Sequence, residues 1–472
     1  MASIGTMAIS LTDYLNVSLA YLRQPVTNLE QQKSDLVLKR GVFTDLTEKL
    51  SAFEDVLDRF KETGTSSPFN SKAITSSAET VVTATATADA QAGSHSVFVT
   101  QLARAHAVLS GRYDQDGTAL SQSMAGTRSF SITVDGQTHD VSVDISAGDT
   151  DAVVLADIAS AISDATGGEV MASYVADTPA TGKLSIRSAS TGTAGSMVFT
   201  DTDGLLGALG VTNAAEATDT AGGYIYADLG GNQLDALFAV DGINIVSSDN
   251  VAENVLGGLT ITLLGEQEAG DSPVTLTVAV DTDSIKADVE EFLEAYNEVF
   301  TYLKAKTRVD GVTYDRGILA GEYPYVSLRT ALRGSMSSYI SGASAGYNAL
   351  SQIGITSDRG GNYSVSDSSL LDEVIASGPQ ALESLFGGEG GIATDLADLI
   401  SGYTGTAGTI SSSEDGVSAR MDLIDSRIER LERSLAIQEK SLRAQYASLQ
   451  EALYGLEQTS SMSNMFSSLL GL

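Results

Sequence analysis

A serine framed by glycines is the first residue whose setting could do chemistry. Gly342-Ala343-Ser344-Ala345-Gly346 fits G-x-S-x-G, the strand-turn-helix elbow that exposes a nucleophilic hydroxyl. That elbow needs a buried strand before it and, in hydrolase order, a histidine after the serine. Here a helix-like run with Arg329 and Arg333 precedes it, and His95, His106 and His139 all come earlier in the chain. The motif reads as a Gly-rich turn. Asp114-Gln115-Asp116-Gly117 and Asp201-Thr202-Asp203-Gly204 look like fragments of calcium loops, but the twelfth position, a Glu in an EF-hand, is Ala125 in one and Thr212 in the other. These read as ordinary Asp/Gly turns. His95 and His106 lack an H-E-x-x-H pattern, and no G-x-x-x-x-G-K-[ST] loop occurs. With no Cys, disulfides, thiolate metal sites and Cys nucleophiles are excluded. The expectation is a protein that is not an enzyme, with no catalytic, cofactor-binding or metal-binding residue and no cofactor.

The elements that would carry any other function are large. The chain has 472 residues, a length that predicts two to four domains. It has 27 Lys+Arg against 61 Asp+Glu, a net charge of −34, which argues against nucleic-acid binding and anionic membrane surfaces. No run of about 18 apolar residues exists, so no membrane insertion is expected. The first residues form a poor secretory signal, with no Lys or Arg before Arg23, and by themselves point to the cytoplasm. The charge is uneven. Residues 1–62 are net −2 and residues 416–472 net −1, whereas residues 80–280 carry five basic and 24 acidic side chains. Balanced, mixed-sign ends suit packed helices.

Near the N-terminus apolar residues recur at 4,3 spacing as Leu15, Leu19, Leu22, Val26 and Leu29, and Leu36 follows a polar Lys33. This is the 3.5-residue stripe of a helix that pairs with other helices. Pro25 suits a first helical turn and predicts a weaker segment before a long helix. The stripe resumes at Phe43, Leu46, Leu50, Phe53, Leu57 and Phe60, after a phase slip beside Gly41. A helix-interior Gly costs about 1 kcal/mol relative to Ala. A break is therefore predicted there, at a junction between two packing environments. Thr63 to Pro68 is stop chemistry.

From about residue 75 to 280 the pattern becomes short alternating runs rich in Thr, Val and Ser, which predict strands. One amphipathic helix, 154–165, interrupts them with Leu155, Ile158 and Ile162 on one face. This predicts a small α+β module inside a larger β region. Residues 204–231, rich in Gly, Ala and Asp, read as a mobile connection. Helical periodicity returns at Ile285 to Leu303 and over 325–340, 370–376, 380–386 and 392–400, with a short hairpin over 354–365. Residues 401–413 read as a Gly/Ser/Thr linker.

After Asp415-Gly416 comes the strongest periodic signal. Position a is Met421, Ile428, Leu435, Leu442, Leu449 and Leu456; position d is Ile424, Leu431, Gln438, Gln445 and Ala452. Five sustained heptads argue a coiled coil, and Gln at two d positions weakens its seam. The seam residues expected to mediate pairing and oligomerisation are Leu22, Val26, Leu29 and Leu36 with Met421, Ile424, Ile428, Leu431, Leu435, Leu442, Leu449 and Leu456. The N-terminal helix alone could cover this stripe; the polar d positions favour use between chains as well. The tail from Thr459 reads as unstructured alone but adhesive, with Met465, Phe466, Leu469 and Leu470 as a docking peptide.

The ordered set of segments resembles the bacterial flagellar filament cap family, hook-associated protein 2. It comprises Gln24-Pro25 through Phe60, SHSVFVTQLARAHAVLSG at 94–111, the run DTDSIKADVEEFLEAYNEVFTYLKAKT at 281–307, and the stretches 350–393 and 403–450. Residues 151–210 resemble that family's small insertion motif. Residues 1–14 depart from its usual start.

The resemblance implies an α+β multidomain fold. Terminal coiled-coil helices would occupy 1–40 and 404–472, and a helical-bundle leg domain 41–79 and 281–403. A nested β-rich inner plate domain would occupy 80–112 and 232–280, with an inserted α+β outer plate domain at 113–231. It implies a homo-oligomeric ring at the distal tip of the flagellum, outside the cell, exported without a cleaved signal peptide. The implied partners are flagellin, the hook-filament junction proteins and a flagellar export chaperone. The resemblance overturns the cytoplasmic reading. Alternatives are a filament or junction subunit and a surface adhesin.

Overall fold

The apolar stripes at the two chain ends become the two longest helices of the computed structural model. It describes the backbone of residues 4–313 and 315–470 and the side chains of residues 13–313, 315–463 and 465. The chain divides into two compact units, residues 1–69 with 282–472, and residues 70–281.

In the first unit, Ile4–Lys61 is one helix of 58 residues and Thr409–Leu470 another of 62. The interruptions expected at Pro25 and Gly41 do not occur, since both residues lie inside the first helix. An interior Pro costs about 3 kcal/mol and a Gly about 1. Packing on both sides overcomes these local costs, because Val26, Leu29, Val42 and Phe43 are all buried. What does change at Gly41 is the environment. Before it, Leu22 and Leu36 are half-buried; after it, Leu46, Leu50, Phe53, Leu57 and Phe60 are fully buried.

The 401–413 linker is also corrected. Ile392–Thr404 and Thr409–Leu470 leave four residues between them. Ile410 is buried, and the Tyr325 hydroxyl donates to Ser413 Oγ at 2.8 Å, so tertiary contacts draw this Ser-rich run into a helix. Burial also pushes the Tyr325 phenol up to about 12. Residues 459–470, expected to be unstructured alone, continue the C-terminal helix.

The first helix packs on Thr282–Thr307, Pro379–Phe386 and Ile392–Thr404. Tyr323–Ser337 lies against Thr282–Thr307 and Ile392–Thr404 and meets the first helix where Tyr325 stacks on Phe43 at 5.4 Å, and Ser368–Ser377 packs on Thr282–Thr307. Each presents one apolar stripe, and the stripes meet in an aromatic core. Phe60 stacks on Phe292 at 5.0 Å and meets Phe386 and Phe69 edge-on at 5.4 and 5.3 Å. The hairpin expected over 354–365 is Ile355–Ser357 paired with Tyr363–Val365.

The unit of residues 70–281 holds two β-rich cores. In the first, a five-stranded antiparallel sheet runs in the order Lys72–Ser76, Val274–Val280, Gly93–Gln101, Ala236–Val240, Ile243–Ser247. It shares Val82, Val97, Val99, Phe238, Ile261 and Leu276 with a three-stranded sheet of Val251–Leu256, Leu259–Leu263 and Val82–Ala86. Lys72–Ser76 falls in the span read as leg domain, and its ladder with Val274–Val280 joins it to this sheet.

In the second core the helix Asp151–Thr166 lies among antiparallel strands and buries Val154, Leu155, Ile158 and Ile162. The Thr150 side chain accepts from the Val153 N–H at its start, and Gly167, with φ 59°, ends it in the left-handed region. Ala105–Leu109, in the span read as inner plate, pairs with Thr181–Thr191 and places Val108 in this second core.

The segment 204–231, read as a mobile connection, holds two packed elements. Leu205–Leu209 forms a short helix whose Leu205, Leu206 and Leu209 are buried, and Gly223–Tyr226 pairs with Ala105–Leu109. Its glycines serve close packing here: a Cβ on Gly223 would lie 2.1 Å from the Ala215 carbonyl oxygen.

Candidate functional site

The terminal helices build an extended paired surface. Arg23 and Glu439 approach to 3.3 Å, and Lys33 and Asp425 to 2.6 Å. Moving forward along the first helix moves backward along the second, so the pair is antiparallel. Between the two ion pairs Val26 lies in a groove with Leu435 and Ala436. Glu439 also accepts twice from Arg443, at 2.7 and 3.0 Å, and this charge-assisted bonding, with Arg23 beside it, holds its carboxyl below the usual range.

The predicted seam residues divide into two sets. Val26 and Leu29 are buried, and Leu22, Leu36, Met421, Ile424, Ile428, Leu431, Leu435 and Leu442 are half-buried. Leu449 and Leu456, expected on the same line, are 50% and 67% exposed. Gln438, Gln445 and Ala452 are exposed too. Past Leu435 the half-buried positions are Glu439, Leu442, Tyr446, Gln450 and Leu453. A straight helix repeats every 3.6 residues and drifts about 20° per heptad from a 3.5-residue stripe. That drift carries Leu449 and Leu456 off the intramolecular seam. Sequence reasoning missed Tyr446 and Leu453, which at about 100° per residue stay within about 20° of Leu435, whereas Leu449 and Leu456 fall about 40° and about 60° to one side. Of the predicted docking tail, Met465 is exposed. The side chains of Phe466, Leu469 and Leu470 lie outside the described residues.

The residues considered for chemistry are engaged elsewhere. Ser344 follows the helix Tyr323–Ser337 and not a strand, and its Oγ lies 3.3 Å from Ser384 Oγ. The three histidines belong to the unit of residues 70–281. His106 is buried, and its Nδ1 accepts from the Met197 N–H at 2.8 Å; burial pushes its pKa down. His95 pairs with Asp241 at 2.8 Å and His139 with Glu169 at 2.9 Å. The Asp-rich turns spend their carboxylates on backbone: Asp114 accepts from Asp116 N–H, Asp201 from Gly207 N–H and Asp203 from Ser129 N–H. No helix among the described residues is long and apolar enough to cross a membrane.

Known proteins match along most of the chain. Residues 9–106 match the flagellar hook-associated protein 2 N-terminus, and residues 234–458 match the flagellar hook-associated protein 2 C-terminus. The A-type flagellar hook-associated protein 2 of Pseudomonas aeruginosa is 27% identical over 82% of this chain and 80% of its own length. The polar flagellar hook-associated protein 2 of Vibrio parahaemolyticus is 33% identical over 38% of this chain, and that match spans 27% of the relative's length. The crystal structure of the D1-D2-D3 domains of the flagellar cap protein FliD from Escherichia coli shares the fold. Its TM-score is 0.60 at 24% identity, over 80% of this chain and 99% of that one. Two matches, in order and at the two ends of one protein type, together with a shared multidomain fold, place this chain in the flagellar hook-associated protein 2 family.

Proposed function

We propose that this chain caps the distal tip of the bacterial flagellar filament. It oligomerises there as a ring and promotes the folding and insertion of exported flagellin, preventing its leakage. The observation that carries this reading is the antiparallel pairing of the two chain ends through Arg23–Glu439 and Lys33–Asp425, with Leu449, Leu456 and Met465 left exposed. A rod built from both termini, with Leu449 and Leu456 exposed on one face and Met465 on the opposite one, is suited to packing among other helices at a filament end.

In this reading residues 1–40 with 404–472 are the inserted rod, and residues 41–79 with 281–403 the leg. The β-rich spans 80–112 with 232–280 and 113–231 form the plate. Met465, Phe466, Leu469 and Leu470 serve as a docking tail for the export chaperone or the filament. The chain leaves through the flagellar export route without a cleaved signal peptide, and the ring sits beyond the hook-filament junction proteins. The lack of Cys suits a chain threaded unfolded and uncrosslinked.

A strain lacking the protein is expected to secrete monomeric flagellin and to make no filaments; normal filaments would overturn the reading. Truncation after Asp415 is expected to abolish retention at the filament while the unit of residues 70–281 stays folded. Electron microscopy of the purified protein counts the subunits per ring.

A further inference from the structure

One margin of the five-stranded sheet is open. Among the described residues, Ile243–Ser247 ends the sheet and pairs only with Ala236–Val240. The turn between them, Asp241-Gly242, has φ of 50° and 82°, the primed geometry of a two-residue loop. Such a loop is closed by a hydrogen-bonded pair, here Val240 and Ile243, and bonded and non-bonded pairs then alternate along the ladder. Ile243, Ile245 and Ser247 therefore turn their backbone groups toward Ala236–Val240. Asn244 and Val246 turn their N–H and C=O groups off the sheet.

Among the described residues, the other margins of these two sheets are blunted or covered. Lys72–Ser76 begins with a Lys. Val251–Leu256 carries Glu253 and an irregularity at Asn254, whose φ is 58°. Val82–Ala86 is covered by Ser76, whose hydroxyl donates to the Val82 carbonyl at 2.6 Å. Charges and bulges of this kind keep strand edges from recruiting partners. Ile243–Ser247 has no charge, no Pro and no register shift, and leaves Ile243 69% and Val246 53% exposed. Beside it runs a groove of about 670 Å³, lined by Ile245, Val246, Val251 and Val255 together with the acidic Asp249 and Glu253.

We propose that this margin binds an extended segment of another polypeptide, added as a sixth strand, with aliphatic residues at alternate positions and Lys or Arg at its ends. The backbone groups of Asn244 and Val246 supply the ladder, the groove takes the aliphatic side chains, and Asp249 and Glu253 meet the basic ends. A second copy of this chain is the wrong occupant. Residues 70–281 carry six Lys+Arg against 26 Asp+Glu, and self-pairing of the strand would set the Asp241 end against the Asp249 end of the other copy. The inference is independent of the filament-cap reading.

The test uses the full chain and a fluorescent, end-blocked nonapeptide alternating valine and threonine with a lysine at each end. Anisotropy should show saturable binding, and hydrogen exchange should slow at the Asn244 and Val246 amides. The same peptide with glutamate ends should bind at least tenfold more weakly. Asn244→Pro removes an outward donor without removing a bond to Ala236–Val240, so it should abolish binding while the thermal melting of the protein is retained. Asn244→Ala keeps the donor and should bind within twofold of the parent. The proposal is overturned by absent binding, by equal binding of the glutamate peptide, or by equal losses in Asn244→Ala and Asn244→Pro. Slowing of the two amides by protein concentration alone, without peptide, would assign the margin to a second copy and overturn it as well.

Discussion

Lys33 and Asp425 stand 392 positions apart in the chain, yet their side chains form an ion pair of 2.6 Å between antiparallel helices. With Arg23 and Glu439 it sets the register of the terminal rod. Both partners are more than a third exposed, so the pair contributes at most about 0.2–1 kcal/mol. Lys33→Asp should lower the melting temperature of the rod, and the exchange Lys33→Asp with Asp425→Lys should recover most of the loss. Circular dichroism melts of the four proteins of this cycle measure the coupling. In 1 M salt, where the screening length is about 3 Å, it should shrink; a loss that the exchange does not repair would show that the pair does not set register.

Gly41 and Gly416 each lie within a long helix, and a Cβ at either would meet nothing within 4 Å. Gly41→Ala and Gly416→Ala should each stabilise by about 0.4–1 kcal/mol, because alanine restricts the unfolded chain without strain in the helix. Denaturant midpoints measure this. A lowered midpoint would mean that one of these glycines has a conformational role.

Phe60 is fully buried and touches Phe69, Phe292 and Phe386. Phe60→Ala should cost about 3–5 kcal/mol through lost burial and the cavity left behind. Leu456→Ala, at a position 67% exposed, should alter monomer stability by no more than about 0.5 kcal/mol. On the filament-cap reading it should nonetheless weaken assembly, which sedimentation of the purified protein can follow. Unchanged assembly in Leu456→Ala would remove this residue from the oligomerisation surface.

His106 makes acid sensitivity local. Its buried Nδ1 accepts from the Met197 N–H, so the folded state favours the neutral ring; burial lowers the pKa, and Asp228 opposes this only in part. An unfolded imidazole takes up a proton near pH 6.5, and the folded one does so only at lower pH. The unfolded state therefore binds more protons in that window, and stability falls as the pH drops below about 6.5. His106→Gln should flatten this part of the stability profile in chemical denaturation at a series of pH values. An unchanged slope between pH 6.5 and 5 would place the titrating group elsewhere.

Local pattern was a good guide wherever one face of an element decided its burial. Leu155, Ile158 and Ile162 announce the helix Asp151–Thr166, and Ile285 to Leu303 announces Thr282–Thr307, because a 3.6-residue apolar stripe has one way to be buried. The misreadings share a different cause. Pro25, Gly41 and the Ser-rich 401–413 are local breakers whose cost is overcome by contacts far along the chain, such as Tyr325 to Ser413. The glycines of 204–231 look mobile by composition, yet at Gly223 the backbone passes too close to Ala215 for any side chain.

By itself the sequence determined the two apolar terminal stripes, the β-rich acidic centre and the absence of Cys, since these depend only on residue type and spacing. It also carried the likeness to the flagellar hook-associated protein 2 family. The tertiary structure alone decided which residues of the C-terminal stripe meet the N-terminal helix. A straight helix advances 3.6 residues per turn, so Tyr446 and Leu453 are half-buried while Leu449 and Leu456 stay exposed. It also decided that Ile243–Ser247 ends its sheet, because strand order is set by long-range pairing that no local run of residues encodes.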